Sequence, residues 1–247
     1  MFSKRPFFLK FFLYCFFFAN SAGAQVSTDD SKNFSPDDPS YPVQLYYNAI
    51  GENAHIYNGY EYMTPDRNIK GSPYFTEALV PASLNYDDSY YQDIRILYDM
   101  VLDLVVINRL DQNFKISLIN AKLNSFIIKN HEFIRIDKDS LHGVELVSGF
   151  YDRIYSGKST ILVKRKKYVQ DVTEYTVSSL AYREEDKYFV KFDGKYVETG
   201  NKASVYKLFR EKKTEIKSFL RKNKLKFKSD FEKTLIAATA YYDQLTS

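Results

Sequence analysis

Apolar and polar positions alternate in short runs along most of the chain between residues 80 and 199, with polar turns between the runs. Alternation of this kind is typical of β-strands, and turns about every ten residues indicate an antiparallel meander. The runs DIRILYD (93–99), LVVI (104–107) and FKISLI (114–119) are three of the predicted strands. Because no convincing helical period interrupts them, we expect an antiparallel β domain over residues 42–200.

The clearest predicted hairpin is YFVKFDGKYVE (188–198). Its Asp-Gly pair supplies the positive φ angles that a type I′ turn requires. This turn places Phe192 opposite Lys195, and it places Val190 opposite Val197. One face of the hairpin is expected to be core and the other at least half exposed to water. Two further hairpins are predicted, at 126–136 and 149–167.

The hydrophobic period changes after residue 200. Apolar residues then recur three and four positions apart, the spacing of one helical face, first over 205–209 and again over 216–220. Lys212 and Lys213 interrupt this stripe. The pattern therefore predicts two helices here, or one helix with a kink.

The sequence SDFE (229–232) predicts the start of a last helix. It matches a capping box in which Ser229 is the cap and the helix starts at Asp230. The narrow apolar stripe of that helix needs a surface to pack on, and the sheet is the nearest one. The predicted fold class is therefore α+β: mainly an antiparallel β meander, strongly curved or barrel-like, with two or three C-terminal helices in residues 201–247.

Residues 1–24 have the pattern of an export signal. Three basic residues precede or border the apolar run 11–19, and Ala22-Gly23-Ala24 is a small-x-small cleavage site. The run is too short for a transmembrane anchor, which needs about 20 apolar residues. A tyrosine before Cys15 also argues against a lipoprotein signal. We therefore expect an exported protein, periplasmic, extracellular or envelope-associated, with residues 25–41 as a flexible leader rich in Ser, Asp and Pro.

Composition and motifs argue against most enzyme classes. Cys15 is the only cysteine, so the chain after the signal has no thiol for disulfides, zinc ligation or nucleophilic catalysis. His55, His131 and His142 lie in separate segments without metal-ligand spacing. The sequence also lacks a GxSxG elbow and a phosphate-binding glycine loop. We expect no catalytic residue, no metal site and no cofactor, and hence no enzyme.

Positive charge is concentrated near the C-terminus. Twelve Lys or Arg and four acids lie between Lys202 and Lys233. Such a segment can attract an anionic surface, or it can simply keep a surface helix solvated. The candidate binding residues are six: Lys217, Arg221, Lys222, Lys224, Lys226 and Lys228. The partner classes that fit are anionic lipid headgroups, polysaccharide or an acidic protein, and not nucleic acid.

Two other sequence features have a functional and a structural interpretation. The chain contains 22 Tyr and 20 Phe but no Trp, and tyrosine doublets at 46–47, 90–91 and 241–242 can form an aromatic platform for sugar or peptide recognition. The preference of Tyr for half-buried strand faces favours a structural role. The carboxylate pairs Asp87-Asp88 and Glu184-Glu185 are predicted to lie in solvated turns.

Five segments together resemble a group of exported proteins of Gram-negative bacteria that are β-rich and have a basic helical tail. They are KGSPYF (70–75), IRILYD (94–99), GFYDRIYSGKSTILVKRKK (149–167), FLRKNKLKF (219–227) and YYDQL (241–245). The resemblance implies the same architecture. It implies no activity, because the group has none assigned, and no functional residue can be transferred from it.

Three function hypotheses follow. The first is an exported, non-enzymatic interaction or structural module that docks on an anionic partner through its basic tail. The second is a carrier in which the curved sheet encloses a cavity for a lipid or another apolar ligand. The third is an enzyme, for which the sequence offers no catalytic residue.

Overall fold

The computed structural model describes residues 55–109, 114–138, 146–174 and 177–246. The predicted signal peptide and leader lie outside these residues, so the structure does not test them. The described chain is mainly antiparallel sheet followed by three helices. The predicted α+β class is therefore confirmed.

Eleven strands within the described residues form one sheet. They are β1 (Tyr60–Glu61), β2 (Val80–Tyr86), β3 (Ser89–Asp99), β4 (Leu104–Asn108), β5 (Lys115–Ser117), β6 (Leu123–Ile128), β7 (His131–Ile136), β8 (Gly149–Ser156), β9 (Thr160–Glu174), β10 (Val177–Phe192) and β11 (Lys195–Glu198). Their order is β1-β5-β4-β3-β2-β6-β7-β8-β9-β10-β11, and every neighbouring pair is antiparallel. The meander is interrupted twice, because β1 pairs with β5 rather than with β2, and β6 pairs with β2 rather than with β5.

The sheet is strongly curved. Tyr98 on β3 contacts Phe126 on β6 and Phe133 on β7, with ring centroids 5.2 and 4.9 Å apart. Its ring also lies 6.2 Å from that of Phe150 on β8, although three strands separate β3 from β8 in the sheet. Only a sheet that folds over on itself brings these rings together. The sheet is not closed, since β1 and β11 end the strand order without pairing.

The turn chemistry of the 188–198 hairpin is confirmed. Asp193 and Gly194 have φ angles of 49° and 76°, and the observed register pairs Phe192 with Lys195. The second face is half exposed, as predicted, since Lys191 and Glu198 are exposed on it. Val190 is buried against the helices, while Phe189 and Tyr196 are buried in a separate cluster on the opposite face.

The two carboxylate pairs differ in outcome. Asp87 and Asp88 form the turn between β2 and β3, with φ angles of 51° and 57°. Glu184 and Glu185 lie inside the long strand β10, so the predicted turn is wrong there. They face Lys167 and Lys166 on β9, and these opposite charges allow a polar stretch to continue as strand.

Three helices follow the sheet: α1 (Lys202–Leu208), α2 (Lys213–Lys222) and α3 (Phe231–Leu245). A 3-10 turn at Arg210–Lys212 separates α1 from α2, which confirms the predicted interruption. The predicted cap of α3 is wrong by one residue. Asp230, not Ser229, is the cap, and its carboxylate accepts a hydrogen bond from the Lys233 amide at 2.9 Å.

The helices pack on the last strands and form a core with them. Leu235, Ala238 and Tyr242 of α3 are buried together with Ile161 of β9 and Val190 of β10. The predicted apolar stripe of α3 therefore packs on the sheet. This contact fixes the orientation of α2 as well, since α2 packs on α3 through the same core.

Candidate functional site

The six candidate cations lie on one continuous stretch of chain, which we call the basic face: Lys217, Arg221, Lys222, Lys224, Lys226 and Lys228. Three belong to α2, and three lie in the segment between α2 and α3. All six are exposed. None of them forms an ion pair with any residue that the structure describes.

Helical geometry explains the exposure of the first three. Ile216 and Leu220 are buried beneath α2, so the residues on the other sides of the helix turn towards water. Lys217 and Arg221 are four positions apart and therefore lie one above the other. The Lys217 ammonium lies 5.4 Å from the centre of the Tyr206 ring, which holds it close to the helix surface.

Alternation explains the exposure of the other three. Leu225 and Phe227 pack against the helical core and are half-buried. Their neighbours Lys224, Lys226 and Lys228 consequently turn outward. The apolar residues in this segment hold the backbone against the core, and the cations occupy the water-facing positions between them.

The nearby acids do not neutralise this surface. Residues 216–229 contain no Asp or Glu. Before them, Glu215 lies 3.9 Å from Lys212, and after them Asp230 caps α3. Glu232 turns inward and pairs with Arg165 at 2.9 Å. The positive charge of the basic face therefore exceeds the charge of the two exposed acids that flank it, Glu215 and Asp230.

An open cleft of about 660 Å³ lies beside the basic face, between α2 and α3. The rings of Phe219 and Tyr241 stack there with centroids 4.1 Å apart and an angle of 6° between their planes. The remaining lining residues are polar: Thr214, Glu215, Ser218, Lys222 and Asn223. Lys222 thus belongs both to the cleft and to the basic face.

A charged cluster with two buried members, Arg165 and Asp152, lies on the sheet and was not revealed by the sequence. Arg165 on β9 contacts Asp152 on β8 through two nitrogens, at 3.0 and 2.8 Å. It also contacts Asp186 on β10 at 2.5 Å and Glu232 on α3 at 2.9 Å. The His131 Nδ1 atom lies 2.7 Å from the same oxygen of Asp152. We call these five residues the Arg165 cluster.

Burial and the neighbouring charges shift the pKa values in this cluster in opposite directions. Burial alone would lower the pKa of Arg165, but hydrogen bonds to Glu232, Asp152 and Asp186 outweigh it and raise that pKa. Burial raises the pKa of Asp186, and the neighbouring Arg165 reduces this shift without cancelling it. The guanidinium is therefore permanently charged, and the carboxylates depend on it.

The Arg165 cluster is better explained as structure than as a catalytic site. Its charges are directed at one another, and its members join four strands to α3. Within the described ranges, no group of three or more His, Cys, Asp or Glu side chains is arranged to hold a metal ion. A sequence signal for the cluster is lacking, because its members come from five separate elements.

The other sequence candidates are dispersed. His55 lies 3.3 Å from Asp87 at the surface, and neither residue belongs to the Arg165 cluster. His142 lies outside the described residues. In the tyrosine doublets, Tyr91 and Tyr242 are buried in the core. Tyr241 is half-buried and lines the cleft. The doublet at 46–47 lies outside the described residues.

Comparison with family models, with curated proteins and with solved structures found no match for this chain. Among the residues that the structure describes, no helix has the length and apolar character needed to cross a membrane.

Proposed function

We propose that this protein is an exported, non-enzymatic binding module of the cell envelope, which docks on an anionic partner through its basic face. The observation that carries this proposal is the excess positive charge of six exposed cations with no acid between residues 216 and 229. A concentrated field of one sign attracts an oppositely charged surface and speeds association with it.

The way the segment is anchored supports the same function. Leu220 is buried, and Leu225 and Phe227 pack on the helical core. The cations are therefore presented on a fixed backbone rather than on a flexible tail. Preorganisation of this kind reduces the conformational entropy lost on binding.

The carrier hypothesis gains no support from the interior of the curved sheet. Stacked and edge-on aromatic rings fill the region between β3 and β8, with Phe126 and Phe133 only 4.8 Å apart. A carrier of an acyl chain needs a lined space in this position. The docking role is therefore preferred over the carrier role.

Export is a separate part of the proposal and has its own test. We expect the protein purified from the envelope or the medium to begin at Gln25, because cleavage after Ala24 follows the small-x-small rule. Intact-mass measurement decides the point. A chain that retains Met1, or one that carries lipid on Cys15, would contradict export by this route.

The docking test compares two triple variants with equal change in charge. In the first, Lys224, Lys226 and Lys228 are replaced by Gln. In the control, the exposed lysines Lys187, Lys191 and Lys195 of the β10–β11 hairpin are replaced by Gln. Binding to anionic vesicles, acidic polysaccharide and neutral vesicles is measured across a salt series.

The expected loss can be stated in advance. A lysine near an anionic surface contributes about 1 kcal/mol, so the first variant should bind anions roughly 150-fold more weakly than the wild type. The control should bind within a few fold of the wild type. Binding should also weaken with salt, because the Debye length falls from about 10 Å at 0.1 M to about 3 Å at 1 M. Equal behaviour of the two variants, or no salt dependence, would show that the basic face only solvates the helices.

A further inference from the structure

The open cleft between α2 and α3 has the volume of a small-ligand site and a lining that is mostly polar. Its volume of about 660 Å³ lies within the roughly 300–1,000 Å³ of such sites. It is open to solvent along its length, and aromatic and polar groups both reach its surface. It lies next to the basic face and shares Lys222 with it.

Helical geometry places two rows of side chains along the α2 wall. Positions four apart lie one above the other, so Thr214, Ser218 and Lys222 form one row. Glu215 and Phe219 begin the next row. The first row supplies two hydroxyl groups and an ammonium group, and the second supplies a carboxylate and an aromatic ring.

The opposite wall comes from α3 and contributes Tyr241. Its ring stacks on Phe219, which orients both rings and leaves the cleft with an ordered aromatic surface. Asn223 closes one end, where its side-chain amide donates to the Phe219 carbonyl at 2.9 Å. The cleft is thus built from parts that are held in place before any ligand arrives.

This combination matches the chemistry of a sugar ring. A pyranose has an apolar C–H face that packs on an aromatic ring, and it has hydroxyl groups around its edge that exchange hydrogen bonds with hydroxyl, amide and carboxylate groups. From this lining we infer that the cleft binds one sugar residue of an acidic polysaccharide, with Lys222 paired to a carboxylate of the polymer and Tyr241 against a sugar ring. This inference rests on the proposed function and names its partner.

The surface around the cleft disfavours a lipid bilayer as the partner. A bilayer-bound segment combines cations with apolar side chains that enter the membrane. Among the described residues from 199 onward, no large hydrophobic side chain is exposed. Leu225 and Phe227, the two candidates beside the cations, are half-buried against the protein core.

An acidic protein is also a poorer match than a polysaccharide. Protein interfaces have a desolvated centre of apolar and aromatic residues surrounded by a polar rim. The basic face offers cations without such a centre. A charged polymer needs none, because a single sugar can occupy the cleft while its neighbours lie along Lys217 and Arg221, which are about 6 Å apart along the helix axis.

The test separates this inference from the proposed function. Ser218→Gln fills the cleft from an exposed helical position without changing charge, and Tyr241→Leu removes the ring. Ala203→Gln is the matched control, since it adds the same side chain at an exposed position of α1 outside the cleft. Affinities of the mature protein are measured for polygalacturonate and for phosphatidylglycerol vesicles, and circular dichroism checks folding.

We expect Ser218→Gln and Tyr241→Leu to weaken binding to polygalacturonate by about tenfold or more. Binding to the vesicles should stay within about twofold of the wild type, and Ala203→Gln should change neither affinity. Unchanged polygalacturonate binding by folded Ser218→Gln would overturn the sugar site and leave the docking function intact. A wild type that prefers the vesicles over polygalacturonate would also overturn it. A third outcome would also overturn the sugar site. If the Lys224, Lys226 and Lys228 variant loses all anion binding while Ser218→Gln and Tyr241→Leu lose none, charge alone accounts for the binding.

Discussion

Removal of the buried Arg165 side chain is expected to destabilise the protein more than any of the surface and turn substitutions considered below. The guanidinium is almost fully buried and contacts three carboxylates. One of them, Asp152, has a side chain that is only 1% exposed, so it cannot recover solvation by water. Breaking a buried ion pair by removing one partner costs about 3–5 kcal/mol, and we expect this loss for Arg165→Gln.

The assay is urea unfolding at neutral pH, followed by circular dichroism. In a thermal experiment the same loss corresponds to a fall in Tm of about 6–20 °C for a domain of this size. Lys166→Gln is the matched control, because Lys166 is the next residue on β9, is exposed and faces Glu185. It should cost less than about 1 kcal/mol.

The dependence on pH provides a second check. Burial already raises the pKa of Asp186, and without Arg165 this carboxylate loses its counter-charge, so its pKa should rise further above the ordinary range. The folded variant then binds more protons than its unfolded state, and its stability rises as the pH falls through that pKa. The difference from the wild type should therefore shrink in acid. A loss below about 1 kcal/mol, or one that is independent of pH, would refute the proposed role of the cluster.

Three further substitutions test local features. Gly194→Val should cost about 1–3 kcal/mol in urea unfolding, because φ is 76° there and a β-branched side chain is strained at that angle. No neighbouring atom would clash with an added Cβ, so the cost reports the backbone angle alone. Gly200→Ala is the control: the site is equally open but lacks a positive φ, so the cost should be far smaller. Asp230→Ala should cost about 0.5–2 kcal/mol as the loss of a helix cap, and similar losses for Ser229→Ala would contradict the observed capping. Burial, aided by a hydrogen-bonded carboxylate, raises the pKa of Tyr155 to about 12, so its contribution to stability should fall as the pH rises from about 10 towards that value. Tyr155→Phe should flatten this alkaline loss, and an unchanged pH profile would contradict it.

The features that the sequence predicted correctly depend on neighbours along the chain. The 188–198 hairpin follows from two turn residues, and its register follows from the turn. The break between α1 and α2 follows from two lysines that interrupt an apolar stripe. The exposure of the six cations of the basic face also follows from the sequence, because a run of charge is rarely buried, whereas their role in binding stays a prediction.

The features that the sequence missed depend on contacts between distant segments. The position of β6 beside β2 has no local signal, since the turn after β5 does not determine which strand edge is used. Glu184 and Glu185 have the composition of a turn, yet lysines on β9 stabilise them in a strand. Phe189 and Tyr196, on the second face of the 188–198 hairpin, are buried because Leu146, Tyr151 and Leu162 cover them from elsewhere in the chain. Alternation within a hairpin cannot reveal such a cover.

The Arg165 cluster and the basic face are linked through the placement of acids. A count of charges along the sequence subtracts the charge of Glu232 from that of the neighbouring lysines. In the folded chain, however, the Glu232 carboxylate turns inward to Arg165 and to the Tyr188 hydroxyl. Asp230 caps α3 but is exposed, so its charge still counts at the surface. The surface is therefore more basic than the sequence count indicates by the charge of Glu232 alone. The same ion pair that attaches α3 to the sheet removes a negative charge from the side of the molecule where an anionic partner would dock, so one contact contributes both to stability and to the field outside the protein.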